Sequence, residues 1–388
     1  MNESDPARAS GEEVLAGVPL RRQLLFGAVL LGLGLLVAEA GMRLVFQLRG
    51  DLPPTPDRSL VYEWKWAQER LALGTARGES TALLTFDADL GWRPRAGHRE
   101  EGVRINAQGL RADRDFAPVP PPGRRRLALL GDSFTFGDHV ANDETFAHFL
   151  ASEELPGWDV LNFGVNGYGT DQALLRWELE GRPLAADVVV MGFYVGDYER
   201  NTLRFKLYAK PLFEVAGDAL RLAHHPVIAP EALYAEYVEG RRVVGAVDRP
   251  YLVLSVAKAL RRLRERNPSR SDPEWQVLAR LMRRFRDGVV AAGATPVWLV
   301  LPYRDVVEGG RSREAAIEEM CEAEALALGL PVLRVDAALR DQAAARPEVL
   351  LYRPREQGGH FSAAGHRLVA QRLAAFLRAR EGVDPGAE

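Results

Sequence analysis

Cysteine is nearly absent from this chain. Cys321 is the only one in 388 residues, so neither an intramolecular disulfide nor a multi-cysteine metal site can form. It lies in a helix-like stretch from Arg313 to Leu328, the setting of a small core residue. Lysine is scarce too, at Lys65, Lys206, Lys210 and Lys258 alone, so arginine supplies nearly all the positive charge. That bias reads as the mark of a GC-rich coding sequence rather than of a phosphate site. With a formal net charge of -3, the chain has no domain-wide positive excess, which excludes a general polyanion binder. No phosphate-binding Gly-x-x-x-x-Gly-Lys-Ser/Thr loop, His-Glu-x-x-His helix or Gly-x-Ser-x-Gly elbow occurs, nor does a tandem repeat. What remains is 47% hydrophobic and 27% charged, the balance of a folded globular protein with ample core.

One long apolar run stands out. Leu24 to Ala38 is uninterrupted and preceded by Arg21 and Arg22; Glu39 and Arg43 follow, then Leu44, Val45 and Phe46. Counted through Phe46, it reaches the roughly 20 residues that cross a bilayer. Glu39 and Arg43 stand four apart, so on a helix they can pair near the membrane boundary. Two other readings compete: a signal peptide cut at Ala38-Glu39-Ala40, and a buried helix of a soluble domain. The expected division is an N-terminal tail (1–22), a transmembrane helix (23–47), a linker and juxtadomain segment (48–123), and a main domain (124–382) with an insertion at 201–266. Arginines flank the run on both sides, which leaves orientation weakly determined; retained anchor and cleaved signal both put the main domain outside the cytoplasm. The expected location is a bacterial inner membrane, single-pass, with a periplasmic main domain.

From Arg125 the pattern is α/β. Strand-length apolar runs occur at Leu127–Leu130, Val160–Phe163, Val188–Val195, Val297–Leu301 and Val332–Val335, with amphipathic stretches such as Glu274–Ala292 between them. That alternation predicts a mainly parallel sheet with helices on both faces. The stretch from Asn201 to Arg266 breaks the rhythm and is too long for a connection; it predicts an insertion with its own helices. In Leu129-Leu130-Gly131-Asp132-Ser133 an apolar strand runs straight into a serine, which places Ser133 at the carboxyl edge of the sheet, where ligands bind. A serine needs a base. Among the histidines, His360 stands in a glycine-flanked loop (Gly358-Gly359-His360) before the last helix and is best placed to reach it; His366, within that helix, reads as a surface residue. His224-His225 reads as a lid or surface pair.

At these residues the chain resembles the SGNH/GDSL hydrolase family, over roughly Arg125 to Arg380, and in particular its membrane-anchored bacterial members. The resemblance implies a flavodoxin-like three-layer sandwich. Gly131-Asp132-Ser133 matches the first block, which makes Ser133 nucleophile and backbone oxyanion donor. Asn162-Phe163-Gly164-Val165-Asn166-Gly167 matches the second, in which the Gly167 N–H faces the oxyanion. His360-Phe361-Ser362 is similar to the last, in which His360 is general base. Two departures stand. Where the third block has Gly-x-Asn-Asp, this chain reads Gly196-Asp197-Tyr198, so either Asp197 or Asn201 takes the oxyanion position, and an ionised Asp197 would repel the anion. Where the last block has an aspartate three residues before the histidine, the chain has Gln357; Glu356 is the candidate orienting acid, or His360 works in a dyad. No cofactor, metal or nucleic acid is implied. The expected activity is a serine ester hydrolase acting on an acylated envelope glycan or lipid; an O-acyltransferase on the same serine and a catalytically silent envelope scaffold are the alternatives.

Overall fold

The computed structural model describes residues 19–76, 83–242, 249–309, 312–357 and 359–381. Two compact units divide the chain, one from residues 1–57 and 243–263, the other from 58–242 and 264–388. The first holds the helix Leu20–Arg49, which is long and apolar enough to cross a membrane and buries none of its residues within the protein.

The second unit is built on five parallel strands: β1 (Arg125–Gly131), β2 (Trp158–Asn162), β3 (Val188–Tyr194), β4 (Thr295–Leu301) and β5 (Val332–Arg334). Their order across the sheet is β5-β4-β3-β1-β2. The strands read as continuous apolar runs because helices cover both faces. Side chains still alternate. Leu127 and Leu129 join the core on one face, with Val369 and Leu373 of the last helix (Ala363–Glu381). Ala128 and Leu130 join the other, with Leu278 and Leu281 of the helix Pro273–Ala291. The result is the three-layer α/β sandwich expected.

The strand order positions the site. From β1 the chain steps one way to β2 and then returns to the other side as β3, so the connections leaving β1 and β3 diverge at their carboxyl ends. A crevice opens at such a switch point. Gly131, at the end of β1, pairs with Gly192 of β3, so Ser133 stands at the lip of that crevice.

Three features differ from the reading of the sequence. Residues 58–123 share the compact unit of the main sheet: strands Leu84–Asp87 and Gly91–Pro94 pair antiparallel, and Trp92 and Leu110 are fully buried in the main core. The insertion carries a β-hairpin, Leu212–Ala216 with Ala219–Ala223, besides helices. His366 is not a surface residue. It is fully buried, and its Nδ1 accepts a hydrogen bond from the Phe146 N–H at 3.2 Å. Burial pushes its imidazole down to about 3, so it stays neutral.

Trp92 joins the early hairpin to the site. Its indole N–H donates to the Asn166 carbonyl at 2.9 Å, and its ring lies edge-on to Tyr168 at 5.4 Å. Trp92→Ala removes the largest side chain of this seam and should lower stability by about 3–5 kcal/mol in a urea titration. An unchanged midpoint would mean the hairpin contributes nothing to the core.

Candidate active site

Asp132 and Ser133 sit where β1 turns into the short helix Ser133–Phe136. The Asp132 carboxylate caps that helix, accepting from the Phe134 N–H at 2.9 Å. The second block crosses directly behind the turn. A Cβ on Gly164 would lie 2.2 Å from the Phe136 nitrogen, so only glycine permits the crossing. Asn162 stitches the two segments: its Nδ2 donates to the Thr135 and Phe136 carbonyls at 3.0 and 3.2 Å, and its Oδ1 accepts from the Gly164 N–H at 2.9 Å. Gly167 then turns with φ at +79°, a conformation that strains any residue with a side chain.

His360 arrives from the far end of the chain, 227 residues on, and its Nε2 lies 2.9 Å from the Ser133 Oγ. Its ring packs on Phe134 and His139, at centroid distances of 4.9 and 5.0 Å. Burial pushes the imidazole down to about 4; His139 and Arg200 add to the effect and Asp132 opposes it. Its Nδ1 is buried and finds no hydrogen-bond partner among the described residues. Glu356, the expected orienting acid, is exposed on the turn Arg355–Gln357, and none of the described hydrogen bonds joins it to His360.

The two oxyanion candidates of the third block are both inaccessible. Asn201 is fully buried; its Oδ1 accepts from the Asp171 N–H at 3.1 Å, and its Nδ2 has no exposed surface from which to meet a substrate. Asp197 is 1% exposed, with one oxygen 3.1 Å from Arg200 Nη1 and the other 3.4 Å from the Tyr194 N–H. Burial and the neighbouring Asp132 raise its carboxyl well above the ordinary range, which favours the neutral acid. By contrast, none of the described hydrogen bonds engages the backbone N–H of Ser133 or Gly167.

Three residues escaped the sequence reading. Arg200 Nη1 contacts the Asp132 carboxylate at 2.7 Å, Asp197 at 3.1 Å and the Tyr168 carbonyl at 3.0 Å, locking the cap of the serine helix to the third block. Burial works against its charge, yet Asp132 and Asp197 together hold it on. Asp138 lies beside His360, with Oδ2 4.0 Å from Nε2 and Oδ1 bonded by the Asn166 amide. Burial pushes its carboxyl up to about 6. Arg111, from the early segment, donates to the Phe136 carbonyl at 3.1 Å and the Val140 carbonyl at 2.5 Å, and so braces the serine loop from behind. Asp138, His139 and His360 each present a ligand atom within 4.8 Å of the others, the one grouping among the described residues that could hold a metal ion.

A hydroxyl hydrogen-bonded to a neutral imidazole, beside two unengaged backbone N–H groups at a sheet's switch point, is equipped for acyl transfer. Comparison with known sequences agrees, because the GDSL-like lipase/acylhydrolase family matches residues 129–368. The chain belongs to that family. It is a serine hydrolase acting on ester bonds. No curated protein matches it. Similar solved structures include a lipolytic G-D-S-L family protein from Desulfitobacterium hafniense DCB-2, 10% identical, covering 65% of this chain and 99% of that one at a TM-score of 0.32. A G-D-S-L family member from Veillonella parvula DSM 2008 is 13% identical, covering 66% and 99% at a TM-score of 0.35. LAE5, an alpha/beta hydrolase from the metagenome of Lake Arreo, Spain, is 16% identical, covering 67% and 95% at a TM-score of 0.38. With likenesses this distant, the assignment rests on the matched sequence.

Arg200→Met strands Asp132 and Asp197 in the interior without their cation. It should cost about 3–5 kcal/mol in a denaturant titration, and Asp132→Asn added to it should recover part of the loss. Equal losses in single and double variants would remove Arg200 as the partner of Asp132.

Proposed function

We propose that this hydrolase works through an acyl-enzyme on Ser133 with His360 as its base, in a dyad rather than a triad. The observation that supports this reading is the 2.9 Å approach of His360 Nε2 to Ser133 Oγ. Ser133 attacks the ester carbonyl while His360 takes the hydroxyl proton on Nε2. The N–H groups of Ser133 and Gly167 receive the negative charge that develops on the carbonyl oxygen. Collapse of the tetrahedral intermediate expels the alcohol, which takes the proton back from His360. Water then attacks the acyl-enzyme, again with His360 as base, and releases the acid. Among the described residues no side chain orients the imidazole through Nδ1. Packing against Phe134 does so instead, and the Asp138 carboxylate beside Nε2 offsets the charge of the transient imidazolium.

Its setting narrows the substrate. Read as a single-pass anchor in a bacterial inner membrane, the helix Leu20–Arg49 holds the catalytic unit on the periplasmic side, where acylated envelope glycans and lipids are the available esters. A hydroxyl acceptor in place of water in the second step would turn the same chemistry to O-acyl transfer.

A serine-directed fluorophosphonate should label the protein, and Ser133→Ala should abolish both labelling and ester turnover. His360→Ala should lower kcat by about 10²–10⁴-fold. Labelling that survives in Ser133→Ala would place the nucleophile elsewhere.

The pH profile carries its own test. A base is active only when deprotonated, and burial lowers the pKa of His360 to about 4, so it remains competent well below the ordinary 6.5. If the Asp138 charge supports the imidazolium, kcat/KM should fall as pH drops through about 6, where Asp138 gains its proton. Asp138→Asn should then lower the plateau and move the acid limb down toward the His360 value. A limb that stays put in Asp138→Asn would exclude Asp138 from the mechanism.

A further inference from the structure

The helix Tyr251–Glu265 exposes apolar side chains in a single stripe. Val253, Val256, Leu260 and Leu263 follow one another at steps of three, four and three, so they share one helical face, and they are 52%, 58%, 60% and 56% exposed. Lys258 and Arg262 stand opposite that stripe, while Arg261 bonds the Pro56 carbonyl and Arg264 pairs with Asp272 and Glu274. A soluble surface does not leave such a stripe in water.

The start of this helix is fixed to the membrane-spanning helix within the same compact unit. Glu39, a carboxylate at the end of an apolar segment, accepts the N–H groups of Tyr251 and Leu252 at 2.8 and 3.0 Å. It thereby satisfies two of the orphan donors of the helix's first turn. Arg43 bonds Glu39 at 2.6 Å, and its guanidinium stands 4.6 Å over the Tyr251 ring. Phe46 meets the same ring edge-on at 5.7 Å. The uninterrupted apolar run Leu24 to Ala38 rises about 22 Å at 1.5 Å per residue. That covers most of the roughly 30 Å hydrocarbon core, so on the anchor reading Glu39 comes near the level where the helix leaves it. On that reading the second helix begins near the membrane boundary.

We propose that Tyr251–Glu265 is an interfacial helix: it lies in the headgroup region with Val253, Val256, Leu260 and Leu263 turned to the acyl chains and Lys258 and Arg262 toward anionic headgroups. The lipid surface is chosen over a protein partner because the stripe continues from a helix already in lipid and carries the basic flank that such surfaces attract. The proposal rests on the anchor reading and is independent of the ester chemistry. It also requires that the anchor be retained, since cleavage after Ala38-Glu39-Ala40 would remove Glu39 and with it the cap on Tyr251 and Leu252.

The test uses the full chain in vesicles of phosphatidylethanolamine and phosphatidylglycerol, with Cys321→Ser as background. Nitroxide labels are placed singly through Val256→Cys, Leu260→Cys, Lys258→Cys and Arg262→Cys, and through Leu30→Cys in the anchor as a depth reference. Collision with oxygen relative to a water-soluble nickel chelate should be several-fold higher at 256 and 260 than at 258 and 262. Adding Glu39→Ala should raise the mobility of the 260 label. Equal, water-like accessibility at all four helix positions with Leu30→Cys still deep overturns the proposal and leaves the anchor reading standing. A water-like value at position 30 overturns both. Spin–spin broadening at 260 that disappears on dilution with unlabelled protein would assign the stripe to a second copy of the chain, and so also overturns the proposal.

Discussion

A carboxylate with no exposed surface must be paired or protonated, and Asp132 is such a group directly before the reactive serine. Its two oxygens face different ways. One caps the helix that presents Ser133; the other is held by Arg200. Through Arg200 the cap is tied to Asp197 and to the Tyr168 carbonyl, so the first, second and third blocks meet on one guanidinium. The surplus carboxylate in this pocket is resolved by raising Asp197 toward its neutral form, because burial and the charge of Asp132 act on it in the same sense. Asp197 of the third block is thus bound in the interior as part of an electrostatic lock.

The same economy extends outward. Lys210, from the insertion, is buried against Asp171 at 2.5 Å and donates to the Arg200 carbonyl at 2.7 Å. Arg111 holds the carbonyls that end the serine helix, and Trp92 holds the carbonyl just before Gly167. Segments that looked peripheral in the sequence therefore set the positions of the serine loop and of the amide proposed to face the oxyanion. An insertion and an early hairpin can be part of a site without touching a substrate.

The sheet was legible because its strands are covered on both faces and read as unbroken apolar runs. The convergence of Ser133 and His360 was legible because each stands in a glycine-marked turn at the end of an element. Other signals were present and passed over. His366 precedes Val369, Ala370 and Leu373 by three, four and seven residues, which puts it on the apolar stripe of its helix and foretells burial. Gly217-Asp218, between the alternating Phe213-Glu214-Val215 and Leu220-Arg221-Leu222, is a hairpin signature inside a stretch read as helical. Arg200, Asp138 and Arg111 left no such trace. A single charged residue in a turn has no period, and its meaning comes only from the partners that the fold brings to it.

In the proposed dyad the histidine is oriented without an acid among the described residues. An orienting carboxylate does two things: it fixes the ring and it stabilises the imidazolium. The first is available from packing, and His360 is wedged against Phe134 with its backbone carbonyl bonded by the Arg353 N–H at 2.7 Å. The second is not, because burial makes charging the ring costly and Nδ1 has no acceptor among the described residues. Besides Asp132, a second carboxylate, that of Asp138, lies 4.0 Å from Nε2, held in place by Asn166, the residue just before Gly167. A negative charge there is close enough to favour a proton on Nε2, yet too far to take the hydrogen bond that Ser133 makes. Position matters as much as distance. Asp138 also lies within 4.8 Å of both His139 and His360, so the carboxylate proposed to support the base is part of the same cluster that packs around the imidazole.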